Sequence, residues 1–248
     1  MKKMKTTMIL NNFYITGDCH GNFDKIRNFI KRNNDLKNIV IFIVGDVGLN
    51  YFSDNRDIAR KEELDKLNAT FICLRGNHDK NHQKMDSYKK VNKYGGIMYK
   101  EKEFQNIFFT KDGEIYNING CKIFCCGGAY SVDKYYRIEN GWGWFEDEQP
   151  QKEDITNAVE NIRKNNYKVN IIMTHTCPYF AIPKHMFLSG IDQSKVDNTT
   201  EIWLESLLDN GLGFDKWFCG HYHLDGEYKD IEFLYKDFIC LNEFIYGE

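Results

Sequence analysis

The chain has 248 residues, 42% of them hydrophobic and 15% aromatic, with only three prolines and no Pro/Gly/Ser-rich stretch, so it reads as one domain over residues 1–248. A formal charge of −3 and a pI near 6.2 exclude a uniformly basic, polyanion-binding surface. No run approaches the ~20 apolar residues of a membrane span, and the start "MKKMKTTMILNNFYI" lacks a signal peptide's apolar core.

Eight cysteines outside paired C-x-x-C units predict reduced thiols, a cytoplasmic location and no structural zinc site. In chain order, "FYITGD" (13–18) is an apolar, β-branched strand ending in Gly-Asp. "NFDKIRNFIKRNN" follows as a helix, with Phe23, Ile26, Phe29 and Ile30 on one face behind an Asn22 cap. "IVIFIVGD" (39–46) repeats the strand pattern, residues 56–68 give a second helix with Ile58, Leu64 and Leu67, and "TFICLRGNHD" (70–79) gives a third strand. Strands that are apolar throughout and alternate with helices imply βαβ units around a buried sheet.

The lysines from Lys80 to Lys93, including Lys84, Lys89 and Lys90, read as a solvated helix face. "NIFFTKDGEIYNINGCKIFCCGGAY" breaks at "KDG" and "NG", the pattern of antiparallel hairpins. Ile155, Ala158, Val159 and Ile162 have helical spacing, "VNIIMTHT" is a further buried strand, and another helix falls near 199–210. "KWFCGHYH" then carries His221 and His223 one residue apart. An extended backbone would turn both to the same side, roughly 7 Å apart.

Five strands thus end in polar clusters: "GDCHG" (17–21), "GDVG" (45–48), "GNHD" (76–79), "TH" (174–175) and "GHYH" (220–223). A single Gly-Asp is ordinarily just a turn. Five such ends collect Asp18, His20, Asp46, Asn77, His78, His175, His221 and His223 where α/β sheets bind ligands, at the carboxyl edge of the strands. His82 and His185 fall outside and read as surface residues. Cys19, Cys177 and Cys219 read as small packing residues beside the site.

In this order and spacing, over residues 17–223, the clusters resemble the signature of the calcineurin-like metallophosphoesterases. "GGAYSVDKYYR" (127–137) further resembles bacterial and phage members of that superfamily. The resemblance implies an α/β fold, a four-layer α/β/β/α sandwich of two mixed sheets, with two metal ions at the sheet edges. It implies Asp18, His20 and His223 on the first ion, Asn77, His175 and His221 on the second, Asp46 on both, and His78 over the site as an acid without a metal. The implied reaction is hydrolysis of a phosphate ester by a metal-bridging hydroxide. A phosphomonoesterase is favoured, with a phosphodiesterase or nuclease, and then a non-catalytic scaffold for protein partners, as the alternatives.

Two carboxylates against two multivalent cations leave positive charge for a phosphate, and mixed oxygen and imidazole donors suit Mn, Fe or Zn. The chain departs from the superfamily's protein phosphatases at Leu49 and Asn50, where those enzymes carry Asp and Arg. Asp79 is then the candidate to orient His78, and Arg137 or Lys134 to contact phosphate. The aromatic stretch "YYRIENGWGWF" (135–145) leaves nucleotide or nucleic-acid substrates open.

Overall fold

The computed structural model describes residues 10–187 and 193–247. Its elements follow in chain order as β1 (Asn12–Thr16), α1 (Asp24–Arg32), β2 (Ile39–Ile43), α2 (Asn55–Asp65), β3 (Thr70–Cys73), β4 (Tyr88–Lys93), β5 (Gly96–Glu101), β6 (Ile107–Thr110), β7 (Glu114–Ile118) and β8 (Cys121–Cys126). They continue with α3 (Lys134–Glu139), α4 (Lys152–Lys164), β9 (Ile171–Thr174), α5 (Thr199–Asp209), β10 (Lys216–Cys219), β11 (Gly226–Tyr228), β12 (Ile231–Phe233), β13 (Phe238–Cys240) and α6 (Asn242–Tyr246).

One sheet runs β13-β1-β2-β3-β6-β5-β4 and the other β11-β12-β10-β9-β8-β7. Both are mixed. β1, β2, β3 and β6 pair in parallel, as do β8, β9, β10 and β12, while antiparallel strands finish the edges.

Strand side chains alternate between faces, so a run such as "IVIFI" is apolar throughout only if both faces are covered. Val40 and Phe42 point with Phe13, Ile15 and Ile72 into a core shared with Ile123, Ile171, Met173 and Phe218 of the second sheet. Ile39, Ile41 and Ile43 face the other way, onto Phe23, Ile26 and Leu64 beside and within α1 and α2. On the far side, Phe124, Ile172 and Trp217 pack under Ala158, Ile162, Leu204 and Leu207 of α4 and α5. The layers are therefore α/β/β/α, the expected class.

Several local expectations are corrected. The cap position of α1 is Phe23 and not Asn22, although Asn22 Oδ1 accepts from the Asp24 N–H at 2.9 Å, one residue outside the cap. Ile58 of α2 and Val159 of α4 are exposed. In α2 the buried positions include Asp57, which accepts from the Phe52 and Ser53 N–H groups, and Lys61, paired with Glu101 at 2.6 Å. "NG" turns the β7–β8 hairpin, with Asn119 at φ 52° and Gly120 at φ 89°. "KDG" turns no hairpin: β6 lies in one sheet and β7 in the other. The buried Asp112 pins that crossing, accepting from Arg75 Nε at 3.1 Å and from the Gly127 N–H at 2.7 Å.

Only the end of the lysine-rich stretch is an edge strand, and none of it is an α-helix face; Lys84 closes a short 3-10 turn and pairs with Asp147 at 2.8 Å. Lys89 and Lys90 of β4 are exposed on the sheet border, where charge discourages further strand pairing. His82 is buried, contrary to its surface assignment. Its Nε2 donates to Thr110 O at 2.9 Å among Tyr88, Tyr99 and Phe109, and burial drives its pKa down to about 4. His185 is exposed, as expected. All eight cysteines are unpaired, and Cys19, Cys177 and Cys219 are buried. No described helix is long and apolar enough to cross a membrane.

Candidate metal centre

The loops after β1, β2, β3, β9 and β10 bring the five polar clusters together. Close approach requires glycine at two of them. A Cβ on Gly45 (φ 98°) would collide with the His175 ring, and one on Gly76 with the Asp46 carboxylate. Four site residues sit in left-handed backbone: His20 (φ 49°), Asp46 (φ 46°), His221 (φ 68°) and His223 (φ 52°). Such strain costs on the order of 1–3 kcal/mol per residue and clusters at functional sites. It also corrects the picture of His221 and His223 on an extended strand: β10 ends at Cys219, and the chain turns there, with the Tyr222 N–H bonded to Gly220 O.

The donor atoms form two overlapping groups. In the first, His223 Nε2 lies 3.3 Å and His20 Nε2 3.8 Å from Asp18 Oδ2, and the two ring nitrogens are 2.9 Å apart. In the second, Asn77 Oδ1 lies 2.9 Å from His175 Nε2 and 3.1 Å from His221 Nδ1. Asp46 Oδ2 stands between them, 3.8 Å from His20 Nε2 and 3.6 Å from His175 Nε2. His175 Nδ1 donates to Val44 O at 2.8 Å, which leaves Nε2 turned to the site.

The site is built for a cation. Asp18 Oδ2 is buried with no well-directed hydrogen bond, and two imidazole nitrogens face each other with at most one proton between them in the neutral rings. Burial opposes charge on His175, yet the carboxylates of Asp46 and Asp18 outweigh it and hold its pKa up at about 9. His221, by contrast, is pushed down to about 3 by burial and then by the charge of His175. Three groups of carboxylate and imidazole donors lie within metal-ligating reach: Asp18, His20 and His223; Asp18, Asp46 and His175; and His20, Asp46 and His78. Asn77 and His221 adjoin the second of these.

His78 is half-buried, its Nε2 4.0 Å from Asp46 Oδ2 and its backbone N–H bonded to Asp46 Oδ1 at 2.8 Å. Asp79 does not orient its ring. The Asp79 carboxylate is taken by the N–H groups of Val47, Gly48 and Gly76 at 3.0–3.2 Å, so it staples two site loops together. Burial, and then the charge of Asp46, raise its pKa to about 6. Arg137 offers no open face to a phosphate: it is 1% exposed and donates to Ser131 Oγ and Gly143 O. Lys134 lies over the Trp144 ring at 4.1 Å. Leu49 and Asn50 are both buried, Asn50 accepting from Tyr88 OH.

Two residues that sequence reasoning passed over complete the site. Asn77 Nδ2 donates to Ser131 Oγ at 2.9 Å, and Ser131 Oγ donates to Glu148 Oε2 at 2.5 Å. That chain fixes which end of the Asn77 amide faces the histidines. Ser131 lies in the "GGAYSVD" stretch, the one signal that could have pointed to it, and nothing local marks Glu148. Partners of this kind are typically worth 10–100-fold in metal affinity. Ser131→Ala should weaken Mn binding by about that factor in titration calorimetry. Unchanged affinity would mean that Asn77 needs no such support.

The calcineurin-like phosphoesterase family model matches residues 12–225. No curated protein sequence matches the chain significantly. Among solved structures, the chain is similar to phosphopantetheinyl hydrolase from Mycobacterium tuberculosis, with 12% identity and a TM-score of 0.48, over 91% of this chain and 88% of that one. It is also similar to a protein of unknown function from Aquifex aeolicus, with 15% identity and a TM-score of 0.31, over 67% of this chain and 81% of that one.

Proposed function

The chain belongs to the calcineurin-like phosphoesterase family and is a metal-dependent phosphoesterase, and from that premise we propose that it hydrolyses phosphomonoesters with two ions held by seven side chains. Asp18, His20 and His223 hold one ion, Asn77, His175 and His221 the other, and Asp46 both. The observation that supports this reading is the meeting of all seven, from five strand ends, around one buried carboxylate.

When bound, two such ions polarise phosphoryl oxygens and acidify water. The chain's own residues tune the rest. Among the seven proposed ligands, Asp18 and Asp46 carry the negative charge, while Asn77 and the imidazoles would ligate neutrally, so the centre stays attractive to a phosphate. His78 directs its ring into the cavity beside His20, within reach of a departing oxygen. Burial lowers its pKa, against the pull of Asp46 and with that of Arg137, which makes its charged form a readier proton donor. Mn, Fe or Zn suits the donor set.

A second reading, a phosphodiesterase acting on nucleotides or nucleic acid, has its own support. A cavity of about 340 Å³ adjoins His221 and His223, lined by Tyr130, Phe187 and Tyr222, and gives room for a second ester substituent. Turnover of p-nitrophenyl phosphate and its bis ester with Mn, Fe or Zn separates the readings. The monoester cleaved much faster supports the first, and the bis ester cleaved faster supports the second. Neither cleaved over several metals would sink both in favour of a scaffold for protein partners.

Chelation should abolish activity and leave the far-ultraviolet circular dichroism largely intact, because three apolar clusters hold the layers without help from the site. Loss of secondary structure on adding EDTA would contradict that independence.

A further inference from the structure

Beside His20 and His78 lies a cavity of about 160 Å³, lined also by Gly48, Tyr51, Phe52 and Arg60. Arg60 brings a half-buried guanidinium to it from the middle of α2. Of its donors, Nη1 bonds Gly48 O at 3.0 Å, and among the described residues Arg60 forms no ion pair. Two other arginines differ. Arg56 is paired with Asp54 at 2.7 Å, and the buried Arg75 with Asp112 at 3.1 Å. The Arg60 guanidinium is also held in place. It rests on the Phe52 ring, 4.9 Å from the centroid, and presses so closely on Gly21 that a Cβ there would collide with it. A fixed cation with donors left over, in the same cavity as two site histidines, is built to receive an anion.

We propose that Arg60 binds the phosphoryl oxygens of the substrate at this centre, as the chain's phosphate-gripping arginine. The proposal rests on the phosphoesterase reading above. It gives the cavity a ligand chemistry, a phosphate dianion, and gives the guanidinium the carboxylate-like partner that the fold withholds. Neither Asn50 nor Arg137 lines this cavity, and each is only 1% exposed.

The test uses the metal-loaded full chain with Arg60→Gln, which keeps an amide donor for Gly48 O, and Arg60→Lys, which keeps the charge. Inorganic phosphate is the probe in titration calorimetry, alongside kinetics on p-nitrophenyl phosphate. A lost charge-assisted contact is worth about 10- to 100-fold. Arg60→Gln should weaken phosphate binding and raise KM by that factor, with metal content unchanged, and Arg60→Lys should recover part of it. The bis ester, carrying one charge fewer, should be affected less. Phosphate affinity within twofold of wild type in both variants would overturn the assignment. If the wild type cleaves neither ester, the phosphoesterase reading fails, while the phosphate titration still decides whether Arg60 is an anion ligand.

Discussion

Replacing Asp46 with Asn lowers turnover of p-nitrophenyl phosphate by on the order of 10³-fold or more and empties both metal positions, whereas His20→Ala costs one ion and less rate. Asp46 Oδ2 is the atom that both groups of ligands share, 3.8 Å from His20 Nε2 and 3.6 Å from His175 Nε2. It carries half of the carboxylate charge among the seven proposed ligands, and its side chain is buried. The amide keeps the shape: Asn Oδ1 can still accept from the His78 N–H, as Asp46 Oδ1 does at 2.8 Å, so the loop has no reason to move. What changes is charge and one ligand oxygen. Metal analysis and steady-state kinetics on the two variants check this. Equal metal content and equal residual activity would mean that Asp46 serves one ion or none.

His78→Ala keeps both ions and loses about 10²–10⁴-fold in kcat on an alkyl phosphate, but much less on p-nitrophenyl phosphate. His78 follows Asn77 directly, and its Nε2 stays 4.0 Å from Asp46 Oδ2, with the ring edge-on to His20 across the cavity. From there it can protonate a departing oxygen. A nitrophenolate is stable as an anion and has little need of that proton, while an alkoxide has great need. The split between the two substrates separates proton transfer from a merely structural role, which would lower both rates alike. Near wild-type rates on both esters would remove the acid role.

Much of this was legible because strand ends are. An apolar run that stops in Gly-Asp or Gly-His marks its own carboxyl edge, and ligands carried there by five strands must converge if the sheets pack face to face. Asp18, Asp46, Asn77 and the five site histidines therefore came straight from pattern. Family resemblance supplied the two-ion reading.

What was not legible depends on contacts between distant positions. Ser131 reaches Asn77 across 54 residues of sequence, and Arg60 is one of several cations on an otherwise ordinary helix. His82 lacks any apolar neighbour in "DKNHQK" to announce its burial; its aromatic surroundings come from β4, β5 and β6. Asp79 is adjacent to the His78 ring in sequence, yet its oxygens face three backbone N–H groups, two from the loop after β2 and one from its own turn. "KDG" carries good hairpin chemistry, but Asp112 uses it to anchor a passage between sheets. The left-handed His221 and His223 defeat a reading from strand geometry, because the strand has already ended.

Anomalous diffraction from crystals loaded with Mn tests the central claim most directly. Two peaks about 3.5–4 Å apart are expected, both touching Asp46, one ringed by Asp18, His20 and His223 and the other by Asn77, His175 and His221. A single peak, or two that do not share Asp46, would contradict the two-ion centre.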